Sequence, residues 1–143
     1  MINKTGSAKW TGSLKEGKGY VSTESGALDD QPYGFNTRFE DGAGTNPEEI
    51  IGAAHAACFS MALSMILGEN IPDSIATTAT VSMEKDGEGF AVKKIHLDVT
   101  GKVPGITAEE FTKAATTAKD NCPISRLLMG GTAEITMDAK FEG

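Results

Sequence analysis

The sequence predicts an α+β fold with mainly antiparallel strands, and three observations predict it. The N-terminal part carries hairpin and extended patterns. One apolar helical run fills residues 47–67. The remainder alternates strand-like and helix-like segments and closes on a strand.

Ser7–Thr11 and Gly19–Thr23 read as a β-hairpin across Gly12-Ser-Leu-Lys-Glu-Gly17. Residues 31–40 read as extended, with aromatics at 33, 35 and 39, and Asp41-Gly-Ala-Gly44 as a turn. Asn46 is a good N-cap for the long helix and Pro47 fits its first position. Glu48 and Glu49 complement the helix dipole, and Gly68 is a natural stop. At 1.5 Å per residue this helix is roughly 30 Å long. It is apolar on nearly every side and must be covered all round. A second copy of the chain is the economical cover, so a homodimer is expected. Thr77–Glu84 reads as a strand with Ala79, Val81 and Met83 inward. Gly89–Val103 starts with Phe90 and Val92 in phase, then shifts to Ile95, Leu97 and Val99, which predicts a bulge at Lys93-Lys94. Thr107-Ala-Glu-Glu110 matches a capping box and opens a helix to about Lys119. Cys122–Leu128 reads as a short helix, and Ala133, Ile135, Met137, Ala139 and Phe141 as an alternating strand.

At 143 residues the chain is expected to be a single domain, 1–143, with a real core. The net charge of −7 argues against nucleic acid and anionic membrane surfaces as partners. The first ten residues hold no apolar stretch resembling a signal segment. The longest apolar run is interrupted by Gly52, His55, Ser60 and Ser64, and reads as a buried helix of a soluble protein, not a span. A cytoplasmic setting is therefore expected, where a disulfide is transient and catalytic more often than structural. No metal signature is visible: His55 and His96 are far apart and the two cysteines form no CxxC. Gly42 and Gly44 are not followed by the Lys-Ser/Thr of a phosphate loop. Met61 and Met65, at helical spacing, read as core.

The chemistry rests on the only two cysteines. Cys58 lies inside the apolar helix, and Cys122 stands before Pro123 at the start of a helix. A thiol at a helix N-terminus feels a positive partial charge, which favours thiolate. Two such thiols suggest a redox pair. Arg38 is one of two arginines and sits among aromatics. It is open to two readings, a placed cation paired with Glu48 or a side chain snorkelling to the surface. Glu48 is likewise either Arg38's partner or a first-turn dipole residue. Glu48 and Cys58 are ten residues apart, roughly 15 Å along one helix. If both are functional they meet only across an antiparallel helix pair, in a composite site between two copies. His55, one turn before Cys58, is either a nucleophile's base or a hydrogen-bonded core histidine.

Thr45-Asn-Pro-Glu-Glu-Ile-Ile-Gly-Ala-Ala-His-Ala-Ala-Cys58-Phe-Ser-Met-Ala-Leu resembles the central helix of the osmotically inducible protein C (OsmC) family, relatives of the organic hydroperoxide resistance (Ohr) proteins. Val21-Ser-Thr-Glu-Ser-Gly26, Gln31-Pro-Tyr-Gly-Phe-Asn-Thr-Arg-Phe39 and Asn121-Cys-Pro-Ile-Ser125 resemble the OsmC branch too, so the similarity spans essentially the whole chain. The resemblance implies a thiol peroxidase that reduces organic hydroperoxides and, less well, hydrogen peroxide. It implies Cys58 as peroxidatic and Cys122 as resolving cysteine, with Arg38 and Glu48 at the family's polar site positions. It implies an intertwined homodimer with antiparallel sheets around two long central helices. A dithiol, a lipoylated protein among the candidates, is the implied reductant, and no metal, haem or flavin is called for. Two other classes are distinguishable by experiment. A Cys–His hydrolase or acyl transferase would use Cys58 and His55 without Cys122. A non-catalytic binding dimer would keep both thiols inert.

Overall fold

The computed structural model describes residues 1–143. By internal contact the chain divides into two compact units, Met1–Ile50 and Ile51–Gly143.

The first unit holds an antiparallel sheet in order β1-β2-β3, formed by Gly6–Thr11, Lys18–Thr23 and Gln31–Tyr33. The hairpin follows the sequence reading. Gly19 is paired with Trp10 on one side and Tyr33 on the other, and these two rings pack tilted at 5.6 Å. A Cβ on Gly19 would lie 2.5 Å from the Tyr33 ring, so only glycine lets the aromatics close over the strand. The extended reading of 31–40 holds only to Tyr33. Phe35–Phe39 is a one-turn helix, α1. Thr37 Oγ1 closes it, accepting from Gly34 N–H at 2.8 Å and donating to Gly34 C=O at 3.0 Å. Phe35 and Phe39 are four residues apart and their rings meet at 5.0 Å, a helical spacing that had passed for strand alternation. Every residue of β1 is exposed, and only Gly19, Gly34 and Thr37 are buried in this unit.

The long helix α2, Pro47–Leu67, begins in the first unit and runs through the second. Its start is as expected: Asn46 Oδ1 accepts from Glu49 N–H at 2.8 Å. Gly68 ends it at φ +60, a conformation glycine adopts without Cβ strain. By length and composition α2 is apolar enough to cross a membrane. Here Gly52, His55, Phe59, Leu63 and Leu67 form its buried stripe. The opposite stripe, Ala53, Ala57, Met61 and Met65, is exposed. Met61 and Met65 are 77% and 76% exposed, so they are not core of this chain.

The second unit's sheet runs β4-β5-β6, formed by Ser74–Asp86, Gly89–Lys102 and Glu134–Phe141. β4 and β5 pair antiparallel, and the register slips between Ser82/Met83, which face Lys94 and Val92. Lys93 is thus the extra residue of the expected bulge. Phe90, read as inward, is 55% exposed at the tip of this hairpin. β6 departs from the antiparallel expectation by joining β5 in parallel. The helical crossover of α3 (Ala108–Asn121) and α4 (Pro123–Met129) between these strands is the connection that parallel pairing needs. The Thr107–Glu110 capping box is present with both bonds. The core is built from Phe59, Leu63 and Leu67 of α2, Leu97 and Val99 of β5, Val103, and Phe111, Ala115, Ala118 and Cys122. Phe111, Ala115 and Ala118 fall on one face of α3, with Cys122 following at its C-cap, and Gly101 leaves the room that the Phe111 ring fills.

Candidate active site

In the first unit, Arg38 lies in the last turn of α1 and reaches Glu48 in the first turn of α2. Its Nη2 lies 2.8 Å and its Nε 2.9 Å from one oxygen, Glu48 Oε1. The other oxygen, Oε2, is buried without a hydrogen-bond partner. The guanidinium carbon stands 5.4 Å from the centre of the Phe39 ring. Asn46 ties the two elements together, its Nδ2 donating to Thr37 C=O at 3.2 Å. Arg38 is therefore a placed, paired cation, although its side chain is still 42% exposed. Beside it opens a cavity of about 260 Å³ lined by Trp10, Leu14, Tyr33, Phe35 and Phe39.

In the second unit, the structure brings the two thiols together. Cys58 is half-buried and Cys122 fully buried. Cys58 packs against the core cluster that holds Cys122, and the Cys122 side chain acts directly on the Cys58 thiol. Burial pushes the Cys58 thiol up from its ordinary pKa, the backbone of Ile124 pulls it back, and the adjacent Cys122 adds to the rise. Cys122 is the N-cap of α4. Its Sγ accepts from Ser125 N–H at 3.3 Å and donates to Ser125 Oγ at 3.1 Å. Ser125 Oγ in turn lies 2.7 Å from His55 Nε2. His55 and Ser125 are both fully buried. His55 Nδ1 has no hydrogen-bond partner, and burial lowers the imidazole's pKa.

His55 is thus the hydrogen-bonded core histidine of the two sequence readings, turned to Ser125 and not to Cys58. Ser125 was not singled out from the sequence. Its signal was the Cys-x-x-Ser spacing, the N-cap-to-N3 relation of a capping box. The structure also gathers His96 and Asp98, two positions apart on one face of β5, with Asp138, which the register of β6 sets opposite Asp98. His96 Nε2 lies 2.7 Å from Asp138 and 3.4 Å from Asp98, and both carboxylates are exposed.

The model of OsmC-like proteins matches residues 40–138. The chain is 59% identical to the peroxiredoxin OsmC of Escherichia coli K12, over 99% of this chain and 98% of that one. It is 34% identical to an organic hydroperoxide resistance protein-like protein of Staphylococcus aureus MW2, over 79% and 81%. Among solved structures, the organic hydroperoxide resistance protein OhrB of Bacillus subtilis superposes with a TM-score of 0.65 at 25% identity, covering 96% of this chain and 98% of that one. An OsmC-like protein of Vibrio cholerae shares the fold, with a TM-score of 0.75 at 17% identity over 97% and 99%. These similarities define a thiol-dependent peroxidase on an α+β frame. The chain belongs to the OsmC family.

Proposed function

We propose that the chain is a two-cysteine peroxidase that reduces organic hydroperoxides to alcohols, and hydrogen peroxide less well. The single observation that carries this reading is the contact between the only two thiols, Cys58 and Cys122, inside the second unit. The Cys58 thiolate attacks one peroxide oxygen, the O–O bond breaks, and the alkoxide leaves as alcohol on taking up a proton. Cys58 is left as sulfenic acid. Cys122 condenses with it, releasing water, and an external dithiol, such as a lipoylated protein, reopens the disulfide. No cofactor enters this sequence.

Burial alone works against a Cys58 thiolate, so the site needs a cation. Arg38, held by Glu48, is assigned that role. Glu48 and Cys58 lie ten positions apart on one helix, so the reading takes Arg38 and Glu48 from one protomer and the thiols from its partner. Two observations favour the homodimer: the exposed apolar stripe of α2, and the first unit's nearly coreless sheet. The aromatic-lined cavity beside Arg38 suits an apolar organic tail. The whole chain acts as one domain of a soluble, cytoplasmic enzyme. A Cys58–His55 hydrolase loses its geometry, because His55 Nε2 is bonded to Ser125.

The test is consumption of a panel of peroxides with dithiol and monothiol reductants, for wild type and Cys58→Ser. Fast turnover of organic hydroperoxides by wild type and none by the folded variant is expected. Substantial turnover by Cys58→Ser would overturn the assignment.

A further inference from the structure

A buried hydrogen-bond chain runs from His55 Nε2 through Ser125 Oγ, at 2.7 Å, to Cys122 Sγ, at 3.1 Å. The peroxide-attack step does not use it. His55 and Ser125 are fully buried, on separate helices and seventy positions apart. A buried polar pair of this kind is expensive to keep unless its hydrogen bonds are satisfied. Here one end of the pair is left unsatisfied, since His55 Nδ1 is buried with no partner.

The bond directions are consistent with proton movement. The Cys122 thiol donates to Ser125 Oγ. Ser125 can then spend its own proton only as a donor to His55 Nε2, which makes the imidazole neutral with its proton on Nδ1. Burial holds His55 in that neutral form by lowering its pKa. A neutral imidazole at the end of such a chain is a base waiting for a proton. His55 has no carboxylate partner to keep it charged afterwards: its Nε2 is bonded to Ser125 and its Nδ1 to nothing, and Glu48, seven positions earlier on α2, is paired with Arg38. The Asp, Glu, Lys and Arg side chains of α3, α4 and β4–β6 are exposed, except Lys93 and Lys119, which are half-buried beside Asp86 and Asp120. The titratable groups in direct contact with this chain are the two thiols themselves.

We infer that His55, acting through Ser125, is the proton acceptor and positioning residue for the resolving cysteine. This rests on the two-cysteine reading above and concerns its second step alone. In that step the Cys122 sulfur supplies the electron pair of the new S–S bond, and the S–O bond of the Cys58 sulfenic acid breaks. The Cys122 sulfur is oxidised and the Cys58 sulfur reduced. The thiol proton passes to Ser125 Oγ as the serine proton passes to His55 Nε2. The leaving hydroxide takes up the proton that His55 gives back through Ser125 Oγ and departs as water, so the protons balance and His55 returns to neutral. His55 touches neither sulfur and acts only through Ser125.

The test is a single-turnover experiment with one equivalent of an organic hydroperoxide, following sulfenic acid formation and then disulfide formation by rapid quench and intact mass. His55→Gln places an amide near the Nε2 position, keeps a hydrogen bond to Ser125 and cannot take a proton. It should form the sulfenic acid at close to the wild-type rate and close the disulfide on the order of a hundredfold more slowly. The pH profile should change as well. Wild-type closure should fall only on acidification, as His55 becomes protonated, and be flat near neutrality. Closure in His55→Gln should instead keep rising with pH, because solvent base must then take the proton. Ser125→Ala, which cuts the chain without touching His55, should show the same slowing and the same profile. It also serves if His55→Gln does not fold. A merely structural role would slow closure without changing its pH profile, and that result overturns the inference, as does wild-type closure in both variants. If wild type consumes peroxide but never forms an intrachain disulfide, the two-cysteine reading itself falls and takes this inference with it.

Discussion

Arg38 grips Glu48 by one carboxylate oxygen. Nη2 and Nε both converge on Oε1, and Oε2 is left buried without a partner. A guanidinium matched to a carboxylate normally engages both oxygens. The geometry leaves Oε2 without a partner on the side of the carboxylate turned away from the guanidinium.

The first prediction concerns that cation. Burial raises the Cys58 pKa, so without help the thiolate fraction at neutral pH is small and the rate should climb as pH rises through that pKa. On the proposed reading, Arg38 of the partner protomer opposes the rise by stabilising the anion. Arg38→Ala should therefore move the rate–pH profile of the first step to higher pH, by about 1–3 units. Stopped-flow peroxide reduction across pH checks it. A loss independent of pH would instead assign Arg38 to placing substrate.

A second prediction concerns assembly. Glu48→Ala and Cys58→Ser chains should each be inactive. Mixed heterodimers should recover activity, because one of their two sites would hold an intact Cys58 and an intact Glu48. Unfolding and refolding a mixture of differently tagged chains, with purification of the doubly tagged species, gives the measurement. No recovery in that species would place the pair and the thiol within one subunit.

Cys122→Ser should separate attack from resolution. The first turnover should proceed at near the wild-type rate. The sulfenic acid then lacks its partner and climbs to sulfinic acid under excess peroxide. Intact mass should show wild type losing two hydrogens, and the variant gaining one oxygen and then a second. A variant that cycles normally and resists overoxidation would remove Cys122 from the mechanism.

The exposed stripe of α2 gives a fourth prediction. Met61, 77% exposed in the single chain, should be buried in the homodimer. Met61→Asp would bury an unpaired charge there and should weaken association by several kcal/mol. Sedimentation over a range of concentrations should find the variant monomeric where wild type is dimeric. An unchanged dimer would place the interface elsewhere.

The features legible in the sequence were those written in neighbouring residues. Asn46, Pro47 and Gly68 mark both ends of α2, Thr107 and Glu110 mark the start of α3, and the phase shift around Lys93 marks the bulge. Cys58 and Cys122 were legible as a pair because they are the only thiols. What escaped depends on partners distant in the chain. The parallel docking of β6 on β5 is set by the crossover, and its own alternation is silent about direction. The His55–Ser125 bond joins α2 to α4 and leaves no trace in either segment. α1 was missed because Tyr33 and Phe35 imitate strand alternation, while Phe35 and Phe39 obey the helical spacing. Met61 and Met65 were read as core because periodicity shows that a helix face is apolar and not which chain covers it.

Cys122 serves two helices at once. Its N–H closes the last turn of α3 on Ala118 C=O at 2.9 Å, and its sulfur caps the first turn of α4 through Ser125 N–H at 3.3 Å. A sulfur drawn into a bond with Cys58 is drawn away from that cap, and losing an N-cap contact typically costs a helix about 1 kcal/mol. If the proposed disulfide forms, the corner between α3 and α4 should therefore be looser than with the thiols reduced. Amide exchange at Ile124 and Ser125 should quicken on oxidation and slow again on reduction. On the proposed two-cysteine reading, a reducing dithiol would then meet the disulfide at the moment its surroundings have loosened.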